Sequence, residues 1–296
     1  MKRKRTGFTM IEMLIVLGIL LLLVGLLVPA LTAVKNVAKE TKQKAQFSTI
    51  ELALASFKND HGDYPPSDWA LGTNYCGAQK LTEALLGWDL LGFHPDSAWR
   101  ADGLDATGGL GTYDPTKSRD LDGDGIADTM NERRQPYLEL GTASAFKLRD
   151  LYGINPNWPL VPDTYVLCDA FTNKKIMLTA TGKTVKVGAP ILYYRANTSQ
   201  QFIRGRYNVT DNDALILMKW EADGSIPNMQ HPLNDPTNQY QFFYGTANAL
   251  DGIVGYIQDP KIEARPWPYR PDSYLLISAG ADGLYGTPDD IRNFGN

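Results

Sequence analysis

The feature that most constrains this chain is a run of 22 residues, Met13 to Val34, without one charged side chain. At about 1.5 Å per residue a helix of that length spans roughly 33 Å, enough to cross the hydrocarbon core of a bilayer. A single carboxylate, Glu12, stands at its entrance. Insertion scales put an acidic residue in mid-membrane at about 2.5–3.5 kcal/mol, so something must offset that charge. The cations Lys2, Arg3, Lys4 and Arg5 precede the run. By the positive-inside rule they hold the N-terminus in the cytoplasm and send residues beyond about 35 outward. A secretory signal would have a shorter apolar stretch followed by a small-residue cut site. Here the small residue, Gly7, comes before the apolar run. A plain signal anchor leaves Glu12 without a role.

The residues Gly7-Phe8-Thr9-Met10-Ile11-Glu12, with the basic leader and the apolar run around them, resemble the type IV prepilin signature. Type IV pilins and type II secretion pseudopilins share it. The resemblance implies cleavage after Gly7 by a cytoplasm-facing prepilin peptidase, N-methylation of Phe8, and a helix that enters the core of a filament. It gives Glu12 a partner, the new α-amino group of Phe8 on a neighbouring subunit, so that neither charge is buried alone. Pro29 falls where such proteins carry a helix proline; it removes one i→i−4 bond and crowds the Gly25 carbonyl, which predicts a kink.

Beyond the membrane, Phe47, Ile50, Leu54 and Phe57 fall at i, i+3, i+7 and i+10, a helical stripe. One helix from about Thr9 to Asn59 is expected, half membrane-spanning and half amphipathic, closed by Gly62 as C-cap with Pro65 and Pro66 after it. This helix end resembles that of the major, G-type pseudopilin of type II secretion. Later, Leu167–Ile176 and Ala189–Asn197 look like degraded and displaced versions of that family's aspartate-proline-tryptophan-glycine and first-strand region, although Ala170, Phe171 and Thr172 replace the last three motif residues. Short helices are expected at Leu81–Leu86 and Ala143–Leu151. Strands are expected at Thr164–Cys168, Lys175–Thr179, Ile191–Arg195, Ala214–Trp220, Tyr240–Tyr244 and Tyr274–Ser278. The fold class is α+β, a type IV pilin-like long helix on an antiparallel sheet. The organisation is a leader at 1–7, a transmembrane and assembly helix at 8–34, and a periplasmic globular domain at 35–296. That domain carries an inserted loop-rich region at about 68–157 and a terminal loop at 276–291.

Two acidic loops suit calcium, which takes hard oxygen ligands. Asp120, Asp122, Asp124 and Asp128 with Gly125 repeat the opening of an EF-hand-type loop, where the Ile126 carbonyl fills the seventh position. Its end departs from that pattern, with Asn131 at the twelfth position and Glu132 one residue late. The stretch Ser278–Ile291 resembles the C-terminal calcium loop of G-type pseudopilins. By position the resemblance gives ligand roles to Asp282, Asp289 and Asp290, with the carbonyls of Leu276 and Ser278. One or two calcium ions are therefore expected.

Without its leader the chain has 25 basic against 33 acidic side chains, which excludes a phosphate-backbone binder and no nucleic acid is expected as a partner. Cys76 and Cys168 read equally as an exported disulfide or as two buried thiols. His61 reads as a turn residue, and His94 and His231 as surface residues in no metal-ligand spacing. Trp267 and Tyr269 could stack a sugar ring but read first as packing. No nucleophile elbow, P-loop or CxxC is present, and no enzyme is expected. The resemblance implies a structural subunit of a type II secretion pseudopilus that drives protein export across the outer membrane. Its partners would be further copies of itself, the peptidase, an inner-membrane assembly platform and minor pseudopilins. Its location would be the bacterial inner membrane, single-pass, then the periplasmic filament. The alternative is a type IV pilin or minor pilin whose insertion serves adhesion or cargo binding.

Overall fold

A computed structural model describes residues 9–69, 74–104, 106, 111–113, 132–223, 231–234, 238–245 and 255–295. Gly7 and Phe8 lie outside the described residues, as do Asp120, Asp122, Asp124, Ile126 and Asp128 and the side chain of Pro29.

Helix α1 runs unbroken from Met10 to His61 and ends at Gly62, whose φ of 84° is the left-handed C-cap conformation. The Gly62 N–H donates to the Lys58 carbonyl at 2.8 Å. The helix has two environments. Met10–Val28 is exposed on every side. In the outer half Phe47, Ile50, Ala53, Leu54 and Phe57 are buried, which is the stripe the 3.6-residue period indicates.

That stripe meets a sheet. Strands β5 (Leu192–Arg195), β6 (Tyr274–Ser278) and β7 (Ile291–Arg292) form an antiparallel three-stranded unit. The pair β1 (Ala145–Lys147) and β2 (Tyr165–Leu167) extends it. The join is the bridge between Cys168 and Pro190, where the Ile191 N–H donates to the Leu167 carbonyl at 2.8 Å. The hairpin β3 (Lys174–Met177) and β4 (Thr184–Val187) stands beside it.

Successive strand residues point to opposite faces, and both faces are covered. Tyr193, Tyr274 and Leu276 join α1 in one core. Their neighbours Leu192, Tyr194, Leu275 and Ile277 belong to a second core on the far side. This second core is closed by α3 (Leu148–Tyr152), α5 (Asp213–Asp223) and α6 (Gln239–Tyr244), through Leu148, Leu215, Ile216 and Phe243. A short helix α4 (Ile203–Arg206) lies between α3 and α5 in the chain. The fold is therefore three layers, helix, sheet and helices. It corrects the strands expected at Ala214–Trp220 and Tyr240–Tyr244, which are helical. Leu215, Ile216, Met218, Phe243 and Tyr244 within them are buried, and a short apolar run alone does not separate strand from helix. The helix expected from Ala143 starts only at Leu148, because Ala145–Lys147 pairs with β2.

Helix α2 (Gly77–Leu86) lies inside the stretch expected to be an insertion, yet every one of its residues is buried. The Leu167 N–H donates to Thr82 Oγ1 at 3.0 Å, and Asn212 Oδ1 accepts from the Ala78 N–H at 2.9 Å. At Gly77 an added Cβ would stand 2.3 Å from the Tyr193 carbonyl oxygen, so only glycine lets the helix approach β5 this closely. This part of the region is core rather than appendage.

Candidate functional site

Two of the sites expected from the sequence reach the described residues, one toward each end of the chain; the Asp120–Asp128 loop lies outside them. At the N-terminal end, Thr9 and Glu12 form a reciprocal cap. The Thr9 N–H and Oγ1 donate to Glu12 Oε2 at 2.8 and 2.7 Å, and the Glu12 N–H donates to Thr9 Oγ1 at 3.4 Å. Glu12 is thus the third residue of a capping box, which satisfies helix-end donors and places its negative charge at the positive end of the helix dipole. The spacing Thr-x-x-Glu carries that signal, and pattern reading centred on the membrane cost passes over it. The cap partly offsets the cost of the charge within one subunit. It leaves the second carboxylate oxygen available to a partner.

The outer half of α1 is also fixed by polar contacts one helix face wide. Lys39 Nζ donates to the Phe171 carbonyl at 3.0 Å, and the Ala170 N–H donates to Gln43 Oε1 at 2.7 Å. Gln46 Nε2 donates to the Cys168 carbonyl at 2.9 Å. Positions 39, 43 and 46 share one face of the helix, so α1 grips the backbone of 168–171 by three side chains. Within that segment Asp169 is buried and accepts from Ser278 Oγ at 2.8 Å, the Phe171 N–H at 3.1 Å and the Ala189 N–H at 3.2 Å. Burial pushes its carboxyl up to about 6, against these hydrogen bonds.

At the C-terminal end, β6 runs into a loop whose glycines Gly280, Gly283 and Gly286 have φ of 63°, 76° and 94°. An added Cβ at Gly280 would meet the Asp289 carbonyl oxygen at 2.3 Å, so the two ends of the loop close only over glycine. Asp289 Oδ2 accepts from the N–H groups of Ala281 at 2.7 Å and Asp282 at 3.0 Å, and its Oδ1 accepts from Thr287 Oγ1 at 2.5 Å. Asp282 Oδ1 accepts from the Leu284 N–H at 2.7 Å. The carboxyl groups of Asp282 and Asp289 influence each other's ionisation. Burial, with the Asp289 charge beside it, raises Asp282. Burial opposes ionisation of Asp289 too, but donation from Thr287 and the backbone of Asp282 and Ala281 holds it below the usual carboxylate range. Asp290 faces inward. Its Oδ2 accepts from the Gly286 N–H at 2.7 Å and from the Tyr256 hydroxyl, while its Oδ1 is buried without a hydrogen-bond partner. Burial, then the charges of Asp289 and Asp282, push it up to about 7. Leu276 and Ser278 are strand residues here. The Leu276 carbonyl accepts from the Asn293 N–H at 3.3 Å, and the Ser278 hydroxyl is given to Asp169.

These donors fit a hard, oxygen-seeking cation: two carboxylates face each other and a third buried carboxylate keeps an unused oxygen. The three do not yet converge. Among the described residues, the one trio whose ligand atoms all lie within 4.8 Å of one another is His94, Asp96 and Glu132. That trio reads differently on geometry. His94 Nδ1 accepts from the Asp96 N–H at 3.1 Å, which puts the neutral ring's proton on Nε2, facing Glu132 Oε2 at 3.4 Å. A metal on Nε2 would need the opposite tautomer and would break the Asp96 bond.

The remaining candidates are structural. Cys76 and Cys168 are free thiols, wholly buried, which answers the question of a bridge. Burial pushes Cys76 up to about 12 and raises Cys168 as well, so neither is poised for exchange. His94 and His231 are buried rather than on the surface, each with Nδ1 accepting a backbone N–H, from Asp96 and from Tyr285. His61, expected in the turn, is the last residue of α1 and packs on Phe57, with ring centroids 4.5 Å apart. Trp267 is engaged by two cations, Arg265 at 4.0 Å and Arg206 at 4.9 Å from the ring centroid. Tyr269 packs on Phe294.

Residues 2–28 match the family model of the prokaryotic N-terminal methylation motif. Over 69 residues the chain is 38% identical to the type II secretion system core protein G of Vibrio cholerae, covering 23% of this chain and 47% of that protein. It is 36% identical over 70 residues to the core protein G of Aeromonas hydrophila, covering 24% and 49%. The core protein G of Dickeya chrysanthemi is 35% identical over 72 residues, covering 24% and 47%. The chain thus spans about half the length of the curated relatives it matches. No solved structure matches it significantly.

Proposed function

We propose that this chain, type IV pilin-like by its N-terminal methylation motif, is a major-type pseudopilin subunit that polymerises through α1 into the pseudopilus of a type II secretion system. The observation that carries the reading is the division of α1. One continuous helix is apolar and exposed on every side over Met10–Val28, yet its outer half is built into the core of the globular domain. Such a surface needs hydrocarbon around it. A bilayer supplies that before assembly, and the packed helices of neighbouring subunits supply it afterwards. The helix cannot swing free of its domain, because Lys39, Gln43 and Gln46 hold it to residues 168–171. Movement of α1 out of the membrane therefore moves the whole subunit.

In this reading cleavage after Gly7 creates the α-amino group of Phe8, and Glu12 of the adjoining subunit accepts it. The periplasmic domain begins where α1 leaves the bilayer. Asp282, Asp289 and Asp290 would hold calcium, which would neutralise the facing pair and tie β6 to the tail. A second ion in the Asp120–Asp128 loop belongs to the same proposal. Since α2 belongs to the core, a purely adhesive role for the 68–157 region has less room.

Glu12→Ala tests the assembly step. Expected is a processed, membrane-inserted subunit that forms no filaments in sheared-fibre preparations. Normal filaments from the variant would remove the pairing argument.

A further inference from the structure

A buried lysine outside the C-terminal loop reaches into it. Lys219, on α5, is 8% exposed, and its Nζ donates to the Gly283 carbonyl at 2.5 Å while lying 5.9 Å from the Tyr285 ring centroid. Asn173, in the turn before β3, makes a second contact of the same kind, Nδ2 to the Ala281 carbonyl at 3.0 Å. Two side chains from two separate elements thus occupy carbonyls of the loop, on either side of Asp282. A glycine-rich loop that closes over a metal ordinarily offers such carbonyls to the ion. Here an ammonium has taken one of them.

The cost of burying that ammonium is met within reach. Asp169 attracts it, and Asp169 is itself held by Ser278 of β6 and by the backbone of Phe171 and Ala189. A buried charge is tolerated where an opposite charge and a hydrogen-bond acceptor are near, and Asp169 and the Gly283 carbonyl supply these. Glycine at 283 matters too, since its φ of 76° is a backbone conformation that favours glycine.

We propose that Lys219 is a tethered cation that holds the C-terminal loop closed by itself, so that the loop keeps its shape without a divalent ion. Calcium at Asp282, Asp289 and Asp290 then adds stability to a preformed loop instead of creating it. Lys219 is a positioning residue: it fixes the carbonyl side of the loop and leaves the carboxylate side to the ion. This rests on the proposed calcium site only for the second half of the statement, since the clamp itself involves no metal.

The test is amide hydrogen exchange over residues 279–291 in the full chain in detergent, with calcium and with EDTA. Wild type is expected to keep its loop protected in EDTA. In Lys219→Met, exchange in EDTA should be about tenfold faster or more, the equivalent of one lost hydrogen bond from a charged donor. Added calcium should restore much of the protection, and the gap between melting temperatures in calcium and EDTA should widen. Lys219→Arg, which can still donate to Gly283, should return toward wild type. Should Lys219→Met fail to fold, Asn173→Ala gives the same comparison, with a smaller loss of protection expected. Equal protection of wild type and variants in EDTA would overturn the clamp, and so would a wild-type loop that is open without calcium. Faster exchange in the variant with no calcium effect in either protein would keep the clamp and remove the calcium site.

Discussion

Replacing Gln43 by alanine strikes the contact between the assembly helix and the globular domain at its centre. Gln43 is wholly buried on α1, and its Oε1 takes the Ala170 N–H at 2.7 Å. Ala170 is itself buried, so the substitution leaves a backbone donor without water or acceptor. An orphaned buried donor costs about 1–3 kcal/mol. The neighbouring contacts from Lys39 and Gln46 remain and limit relaxation of the segment. A domain of this size loses about 2–4 °C of melting temperature per kcal/mol, so a fall of roughly 2–12 °C is expected by thermal melting of the full chain in detergent. Leu52→Ala is the control. Leu52 lies on the same helix but is 70% exposed, and its truncation should shift the transition by no more than about 0.5 kcal/mol. Equal melting of Gln43→Ala and wild type would refute the clamp as a source of rigidity between α1 and the sheet.

The other predictions concern the buried acids and thiols. Burial pushes Asp211 up to about 6 in the fold, although Ser67 and the Trp69 N–H donate to it. An acid raised in the folded state favours folding below its unfolded pKa, near 4, and loses that contribution as pH rises through 6. Asp211→Asn should therefore flatten the melting-temperature profile between pH 4 and 6; an unchanged profile would count against the buried carboxylate. Asp289→Ala should lower the melting temperature and diminish the difference between calcium and EDTA, whereas an undiminished calcium response would place the ion elsewhere. Cys76 and Cys168 should resist a thiol reagent in the native protein and react fully in guanidinium. A band shifted by reductant on a denaturing gel would contradict the free thiols.

Much of the fold is legible in local pattern. Helix α1 and its Gly62 cap follow from a 3.6-residue stripe and one glycine, and β2, β5 and β6 follow from apolar runs bounded by turn residues. The second helical layer is not legible this way. Residues Ala214–Met218 are an unbroken apolar run in which Leu215, Ile216 and Met218 are buried, and α6 has only six residues, so neither shows the 3.6-residue period that identifies a helix. The two-residue strand β7 and the three-residue β1 are too short to carry a pattern at all. Site residues divide likewise. Glu12 and the terminal aspartates announce themselves by charge out of place. Lys39, Gln43, Gln46 and Lys219 look like ordinary polar helix residues, since their partners are backbone groups 64 to 132 positions away in the chain. No local signal encodes such a distance.

The central claim is that the membrane helix is an assembly element released by processing before Phe8. Intact and peptide mass spectrometry of the protein purified from membranes tests it most directly. A mature chain that begins at Phe8 and carries one additional methyl group on its α-amine is expected. A chain retaining Met1 to Gly7, or cut on the C-terminal side of the apolar run, would make α1 a plain anchor or a signal and would contradict it.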